Sequence, residues 1–237
     1  MDEASHSLVI QITNKAIKKE AIKIQARVIG HDEGMDEYKI KQEEFHVTLA
    51  MFKIKDTEGI EEVKKMMVDI KNDLTAKGTI LKIRHVNTFP GDQILYAKVI
   101  PEPIATLSLI LSIIEDRVSE SHRVELINKQ QVEQYVHHMT LFQINRKDAK
   151  TIQPKSYKEH IYDELGIQPL NIQLCVIDDQ RSNGFYHTLF SVEFWQNREP
   201  QGKRLKEYKV FCVYMPIFSL IPSSPALVRL NRERLLG

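Results

Sequence analysis

Histidine, an apolar residue, threonine and leucine follow one another twice in this chain, as His46-Val47-Thr48-Leu49 and as His138-Met139-Thr140-Leu141. Histidine has an unperturbed pKa of about 6.5, so it gives and takes protons near neutral pH. Two imidazoles flanking one substrate can act as base and acid in the same turnover. A phosphodiester suits such a pair. One imidazole removes the proton of an attacking hydroxyl or water, the other protonates the leaving oxygen, and the two Thr hydroxyls donate hydrogen bonds to non-bridging oxygens as charge builds there. On this reading His46, His138, Thr48 and Thr140 are the catalytic set, and the chemistry calls on no metal and no cofactor.

The elements that must position these groups are strands. Each motif lies in an apolar run, Phe45 to Phe52 and Val136 to Phe142, with the β-branched and aromatic content of a strand. Side chains alternate between the faces of a strand. The His and Thr of each copy therefore share one face, while Val47, Leu49, Met139 and Leu141 point into a core. One His-x-Thr pair in a strand is an ordinary sheet feature; two with matched flanks are a symmetric set. Neighbours His137 and His138 must point to opposite faces, and neither motif has a second His at helical spacing, so no zinc site is expected.

With these motifs in place, the chain resembles the two-histidine (2H) phosphoesterases, defined by paired His-x-Thr/Ser strands in two pseudo-symmetric lobes. Within that superfamily it is most similar to the central domain of the A-kinase anchoring proteins of the gamma/delta type. The similarity rests on Ile12-Thr13-Asn14-Lys15, on Phe45-His46-Val47-Thr48-Leu49, and on Leu174-Cys175 followed by Ser182-Asn183-Gly184-Phe185-Tyr186-His187. It implies an α+β, bilobal 2H phosphoesterase (LigT-like) fold: two pseudo-symmetric antiparallel-sheet lobes, helices outside and a cleft between. It also implies a nucleotide or RNA-end phosphodiester as ligand. Many members carry Pro before the second catalytic His, where this chain has His137; the His-x-Thr spacing selects His138.

Composition narrows the partners. A net charge of +1 gives no strong polyanion field, so a short oligonucleotide or nucleotide such as 2',5'-oligoadenylate or AMP is expected, and long duplex nucleic acid is not. Cys175 and Cys212 lack Cys-x-x-Cys spacing and suggest a reducing compartment. Met1-Asp2-Glu3-Ala4-Ser5 has neither the basic nor the apolar region of a signal peptide. A monomer in the cytoplasm is expected, with the nucleus as a second location and no membrane contact.

Along the chain, periodicity predicts a strand over Leu8 to Ile12 and a helix over Lys15 to Ile29 capped by Asn14, with Ile17, Ala21, Ile24 and Val28 on one stripe. His31 to Glu37 reads as a loop. A helix is predicted over Glu58 to Lys77, with Ile60, Val63, Met67, Ile70 and Leu74 inward and Gly78 ending it; Met66 and Met67 are taken as core. Strands Thr79 to Val86 and Gln93 to Ile100 flank a Pro90-Gly91 turn, and a helix covers Ile104 to Val118. Glu120 to Glu133 reads as a polar connection and Arg146 to Lys158 as a basic, polar segment. A short helix to Gly166 follows. Strands Leu170 to Ile177 and Phe185 to Trp195 are joined by a loop ending in the hairpin signal Asn183-Gly184.

Residues 1–195 are thus expected to form the 2H domain. The segment 196–237 changes character: basic residues precede the apolar run Val210 to Met215, which is too short and too proline-broken to span a membrane. Pro216, Pro222 and Pro225 would also break any amphipathic helix of the kind that docks a kinase regulatory subunit, so kinase anchoring is not expected. Phe89 and Tyr186 are candidates for stacking on a base, beside the alternative that both are core. Two functions remain open: a metal-independent phosphodiesterase acting on 2',5'-linked oligoadenylate or a related 2',3'-cyclic phosphate RNA end, or a module that binds AMP or another nucleotide without turnover. Intact motifs favour the first.

Overall fold

A computed structural model of the chain describes residues 4–73, 79–127, 136–145, 147–148, 150–178 and 181–194. One plan occurs twice in it. Strand β1 (His6–Gln11) leads through helix α1 (Lys15–His31) to β2 (His46–Ile54), and β4 (Ile94–Glu102) leads through α3 (Thr106–Ser119) to β6 (His138–Gln143). β2 and β6 are the motif strands. Between the two units lie α2 (Thr57–Asp73) and β3 (Ile80–Thr88), and β5 (Val124–Leu126) precedes β6. β7 (Glu164–Pro169), β8 (Asn171–Val176), β9 (Arg181–Ser182), β10 (Phe185–Tyr186) and β11 (Thr188–Glu193) follow.

The main sheet is antiparallel throughout, in the order β11-β8-β1-β2-β6-β4-β3-β7. From its middle outward it is two four-stranded halves, each with its motif strand innermost. The halves meet where Val47 stands opposite Met139. Further along β2 the edge is taken over by β5, with Phe52, Lys53 and Ile54 opposite Leu126, Glu125 and Val124. This is the α+β fold with two pseudo-symmetric antiparallel-sheet lobes that the resemblance to the 2H phosphoesterases implies.

Local chemistry accounts for the elements. Asn14 is extended (φ −67°, ψ 117°) and its side chain accepts a hydrogen bond from Ala16 N, so it caps α1 and satisfies one of the amides a helix start leaves over. Ile17, Ala21, Ile24 and Val28 are buried, as the stripe predicts. Val63, Met66, Met67 and Ile70 of α2 are likewise buried, with Ile60 packed against them. Two buried glutamines are matched: Gln168 Oε1 accepts from Thr13 N and Asn14 N, Gln168 Nε2 donates to Gln11 O at 2.6 Å, and Gln25 Nε2 donates to Ile40 O and Leu141 O. Gln168 thereby ties the turn between β1 and α1, in one half, to strand β7 of the other. On the face of the sheet away from the motif histidines and threonines, in the same core as the α1 stripe, Val47, Leu49, Met139 and Leu141 are 0 to 1% exposed, so the alternation read from the motifs holds.

Several segments differ from the sequence reading. The loop His31 to Glu37 contains a 3-10 helix, Glu33–Tyr38, because Asp32 accepts from Gly34 N at 3.0 Å and Met35 has a core site to fill. The short helix read up to Gly166 is two single turns, Pro154–Ser156 and Lys158–His160, and then β7, which that reading lacks. Pairing to the edge of β3 decides this stretch. Gly166 sits there at φ +145°, and a Cβ on it would stand 2.8 Å from Ile17 Cγ1 of α1, so the close approach of helix and strand needs glycine. The polar connection after α3 holds the three-residue strand β5. Asn183-Gly184 closes its own hairpin, β9 to β10, while β8 and β11 pair directly. The α2 helix runs from Thr57 to Asp73. Leu74, Gly78 and the whole of 195–237, with its apolar run and prolines, lie outside the described residues. No helix among the described residues is long and apolar enough to cross a membrane.

Candidate active site

Across an antiparallel pair, directly opposed residues share a face. With Val47 opposite Met139, one step to either side sets His46 beside Thr140 and Thr48 beside His138. The four motif side chains therefore form a two-by-two array on the face away from Val47 and Met139, and all four are half-buried.

Each histidine is held in the same way. His46 Nδ1 lies 2.6 Å from Glu44 O, and His138 Nδ1 lies 2.8 Å from Val136 O, the carbonyl two residues earlier in both cases. A carbonyl can only accept, so Nδ1 carries the hydrogen and Nε2 is the nitrogen left for a ligand or proton. The rings are also framed by aromatics. Tyr186 meets His46 edge to face at 5.4 Å and Phe185 at 6.1 Å; Phe89 meets His138 at 4.9 Å and Tyr96 at 5.5 Å. Phe89 in turn stacks on Tyr96 at 4.3 Å. Both residues offered as base-stacking candidates thus sit against a motif histidine, Tyr186 on one and Phe89 on the other.

The electrostatics are less symmetric. Burial holds His46 below its usual range; the Glu44 carbonyl opposes this, and His138 and the Arg181 guanidinium push the same way as burial. Burial lowers His138 too, against the Val136 carbonyl. Next to it His137 points into the interior, 8% exposed, and burial with the nearby His138 lowers its pKa to about 4. Burial raises the Tyr96 and Tyr186 hydroxyls, which keeps both protonated at neutral pH. Among the described residues no group of three or more His, Cys, Asp or Glu is placed to hold a metal ion.

Arg181, Glu44, Tyr96 and Phe185 were not legible as site residues in the sequence. Arg181 lies over the Tyr186 ring at 4.2 Å from its centroid and is steered by Glu44, whose Oε1 is 3.8 Å from Arg181 Nε. Phe185 packs with Val9 and Cys175 and so seats the β9–β10 hairpin against the sheet. Asn183 (φ 53°) and Gly184 (φ 79°) make the tight turn that lets Arg181 and Tyr186 pair across it. The Asn-Gly dipeptide was the available signal for a hairpin; where it folds was not in the dipeptide. His187 lies between β10 and β11 and is exposed.

A protein-family model described as "AKAP7 2'5' RNA ligase-like domain" matches residues 4–194. The chain is similar to the human A-kinase anchor protein 7 isoform gamma, 24% identical over 199 residues that make up 80% of this chain and 57% of the relative. It thus spans little more than half the length of that protein. Among solved structures, the crystal structure of a phosphoesterase superposes with a TM-score of 0.56 at 14% identity, covering 82% of this chain and 100% of the other. E. coli LigT complexed with 3'-AMP gives 0.55 at 14% identity over 81% and 98%. A protein of Thermus thermophilus, TT0787, gives 0.54 at 12% identity over 80% and 97%. These three likenesses are of fold.

Proposed function

Because the chain belongs to the AKAP7 2'5' RNA ligase-like domain family, within the 2H phosphoesterases, we propose that it is a metal-independent phosphodiesterase that cleaves 2',5'-linked oligoadenylate or a related 2',3'-cyclic phosphate RNA end. The observation that carries this reading is the matched pair of imidazoles, each with Nδ1 spent on a backbone carbonyl and each beside a threonine of the other motif. A binding module would have no need of two proton-transfer groups so oriented. That E. coli LigT, of the same fold, has been crystallised with 3'-AMP, with NADP+ and with phosphate supports a small nucleotide as ligand.

In this mechanism one imidazole, through its free Nε2, takes the proton of the ribose hydroxyl next to a scissile 2',5' phosphate, or of a water when the substrate is a 2',3'-cyclic phosphate. That oxygen attacks phosphorus, the bond to the leaving nucleoside oxygen breaks, and the second imidazole gives that oxygen its proton. Thr48 and Thr140 donate to the non-bridging oxygens while the charge develops. Phe89 and Tyr186 offer faces for the flanking bases.

The test is incubation of the pure protein, with EDTA, against 2',5'- and 3',5'-oligoadenylates and cyclic phosphates. Cleavage of a 2',5' or cyclic substrate that EDTA leaves untouched is expected, and a 2',5' substrate lacking its 3'-hydroxyl should bind but resist. Affinity for AMP with no cleavage of any panel member would establish the binding module instead.

A further inference from the structure

The motif array is continued across the sheet by a row of cations. Lys98 of β4 stands directly opposite His138, and Arg84 of β3 stands directly opposite Lys98. Opposed residues share a face, so both side chains issue from the face that carries His138 and Thr140. Strands are about 4.8 Å apart, which places Lys98 one step, roughly 5 Å, and Arg84 two steps, roughly 10 Å, from the histidine at backbone level. Burial along the strands agrees: Leu81, Ile83, Ala97 and Val99 are at most 3% exposed, while Lys98 is exposed and Arg84 a third exposed.

An outward lysine on a sheet is ordinarily a solvated residue, and outward charges ordinarily alternate in sign. Here no carboxylate interrupts the row until Glu164, opposite Arg84 on β7. The Arg84 to Glu164 pair is long, 3.5 Å, and its carboxylate is 73% exposed, the kind of ion pair that contributes little and is readily exchanged. Lys82, two residues before Arg84, is by contrast held at 2.5 Å by Glu102 and is not part of the row. With a net charge of only +1 on the whole chain, two cations in line with a catalytic imidazole are a local concentration. At the outer end, His85 is turned to φ 58° at a bulge and meets the edge of Tyr162, which is 82% exposed.

We propose that Lys98 and Arg84 form a phosphate track: they bind backbone phosphates of a single-stranded oligonucleotide beyond the phosphate held between His46 and His138, and so make the site prefer longer chains to a dinucleotide or mononucleotide. This rests on the phosphodiester reading of the motif site. Ammonium and guanidinium groups spaced along a groove, with an exposed aromatic at its end, are the pattern by which proteins follow a single strand.

The experiment measures binding of 3'-deoxy 2',5'-oligoadenylates of two and four nucleotides, and of AMP, by fluorescence anisotropy between low and high salt. The native protein should bind the tetramer more tightly than the dimer, with a steeper salt dependence. Lys98→Met and Arg84→Met should each lower the slope of log K against log salt for the tetramer by roughly 0.7 to 1 and bring the tetramer-to-dimer affinity ratio toward one. Lys98→Arg and Arg84→Lys, which keep the charge, should retain both. A tetramer bound no better than a dimer by the native protein, or a length preference unmoved in the Met variants, would overturn the track. If AMP and the 3'-deoxy dimer bind in that case and an ordinary 2',5'-linked dimer is cleaved, the phosphodiesterase reading stands without it; if no nucleotide binds at all, both fall.

Discussion

Val47 and Met139 face each other across the junction of β2 and β6, and each is the second residue of its His-x-Thr motif. The approximate twofold relation between the halves therefore passes through this pair. Both side chains are fully buried, so the array of His46, Thr48, His138 and Thr140 on the other face rests on a packed core. A site built on paired strands in this way holds its groups with little freedom, as acid-base chemistry requires.

Removing either imidazole should abolish turnover without unfolding the protein. His46→Ala and His138→Ala are each expected to lower the cleavage rate by about 10² to 10⁴-fold, with unchanged circular dichroism. Retention of native rates in either would refute the paired mechanism. If His137→Ala lost activity while His138→Ala kept it, the wrong member of the His137-His138 pair would have been assigned.

The hydroxyls are tested separately. Thr48→Val and Thr140→Val preserve the β-branched shape and delete the donor, so each should raise the barrier by roughly 2 to 4 kcal/mol, as loss of an oxyanion donor does elsewhere. The measurement is kcat/KM on the best panel substrate. A double variant with native kcat/KM would reduce both threonines to strand formers.

Rate should depend on pH as a bell, since one imidazole must be neutral while the other is protonated. Both His46 and His138 titrate below the ordinary value of 6.5, so the singly protonated pair is most populated on the acid side of 6.5 in the free enzyme. The kcat/KM profile should peak there, and bound phosphate, being anionic, should carry the kcat profile to higher pH. Arg181 disfavours the charged form of His46. Arg181→Gln should therefore move the His46 titration upward in an NMR experiment, and an unmoved resonance would show that the guanidinium has no such influence.

His137 gives the fold its own pH dependence. Unfolded it titrates near 6.5, folded at about 4, so the unfolded chain binds the proton more readily and stability is lost as pH falls. The loss is absent above 6.5, grows between 6.5 and about 4, and amounts to about 3 kcal/mol at the lower end by the 1.36 kcal/mol per unit conversion. Urea unfolding from pH 7 to pH 4.5 should show a shallower loss in His137→Gln than in the native protein. Parallel curves would mean that His137 is not desolvated.

Much of this protein can be read one strand at a time. The periodicity of 2 put His46 and Thr48 on one face and Val47 and Leu49 on the other, Asn14 announced the start of α1, and the spacing within His-x-Thr chose His138 over His137, because all of these depend on residues within a few positions of each other. What remained closed to the sequence depends on pairing between distant segments. Strand β7 forms because the edge of β3 is open to it and Gly166 lets it lie against Ile17. Arg181 reaches Tyr186 and His46 because Phe185 seats a hairpin on Val9 and Cys175. Lys98 and Arg84 line up with His138 only through the register of three strands. Registers are set by the packing of a whole buried face, since a slip by one residue would turn every apolar side chain outward; that condition is met by the assembled core and not by any one segment of it.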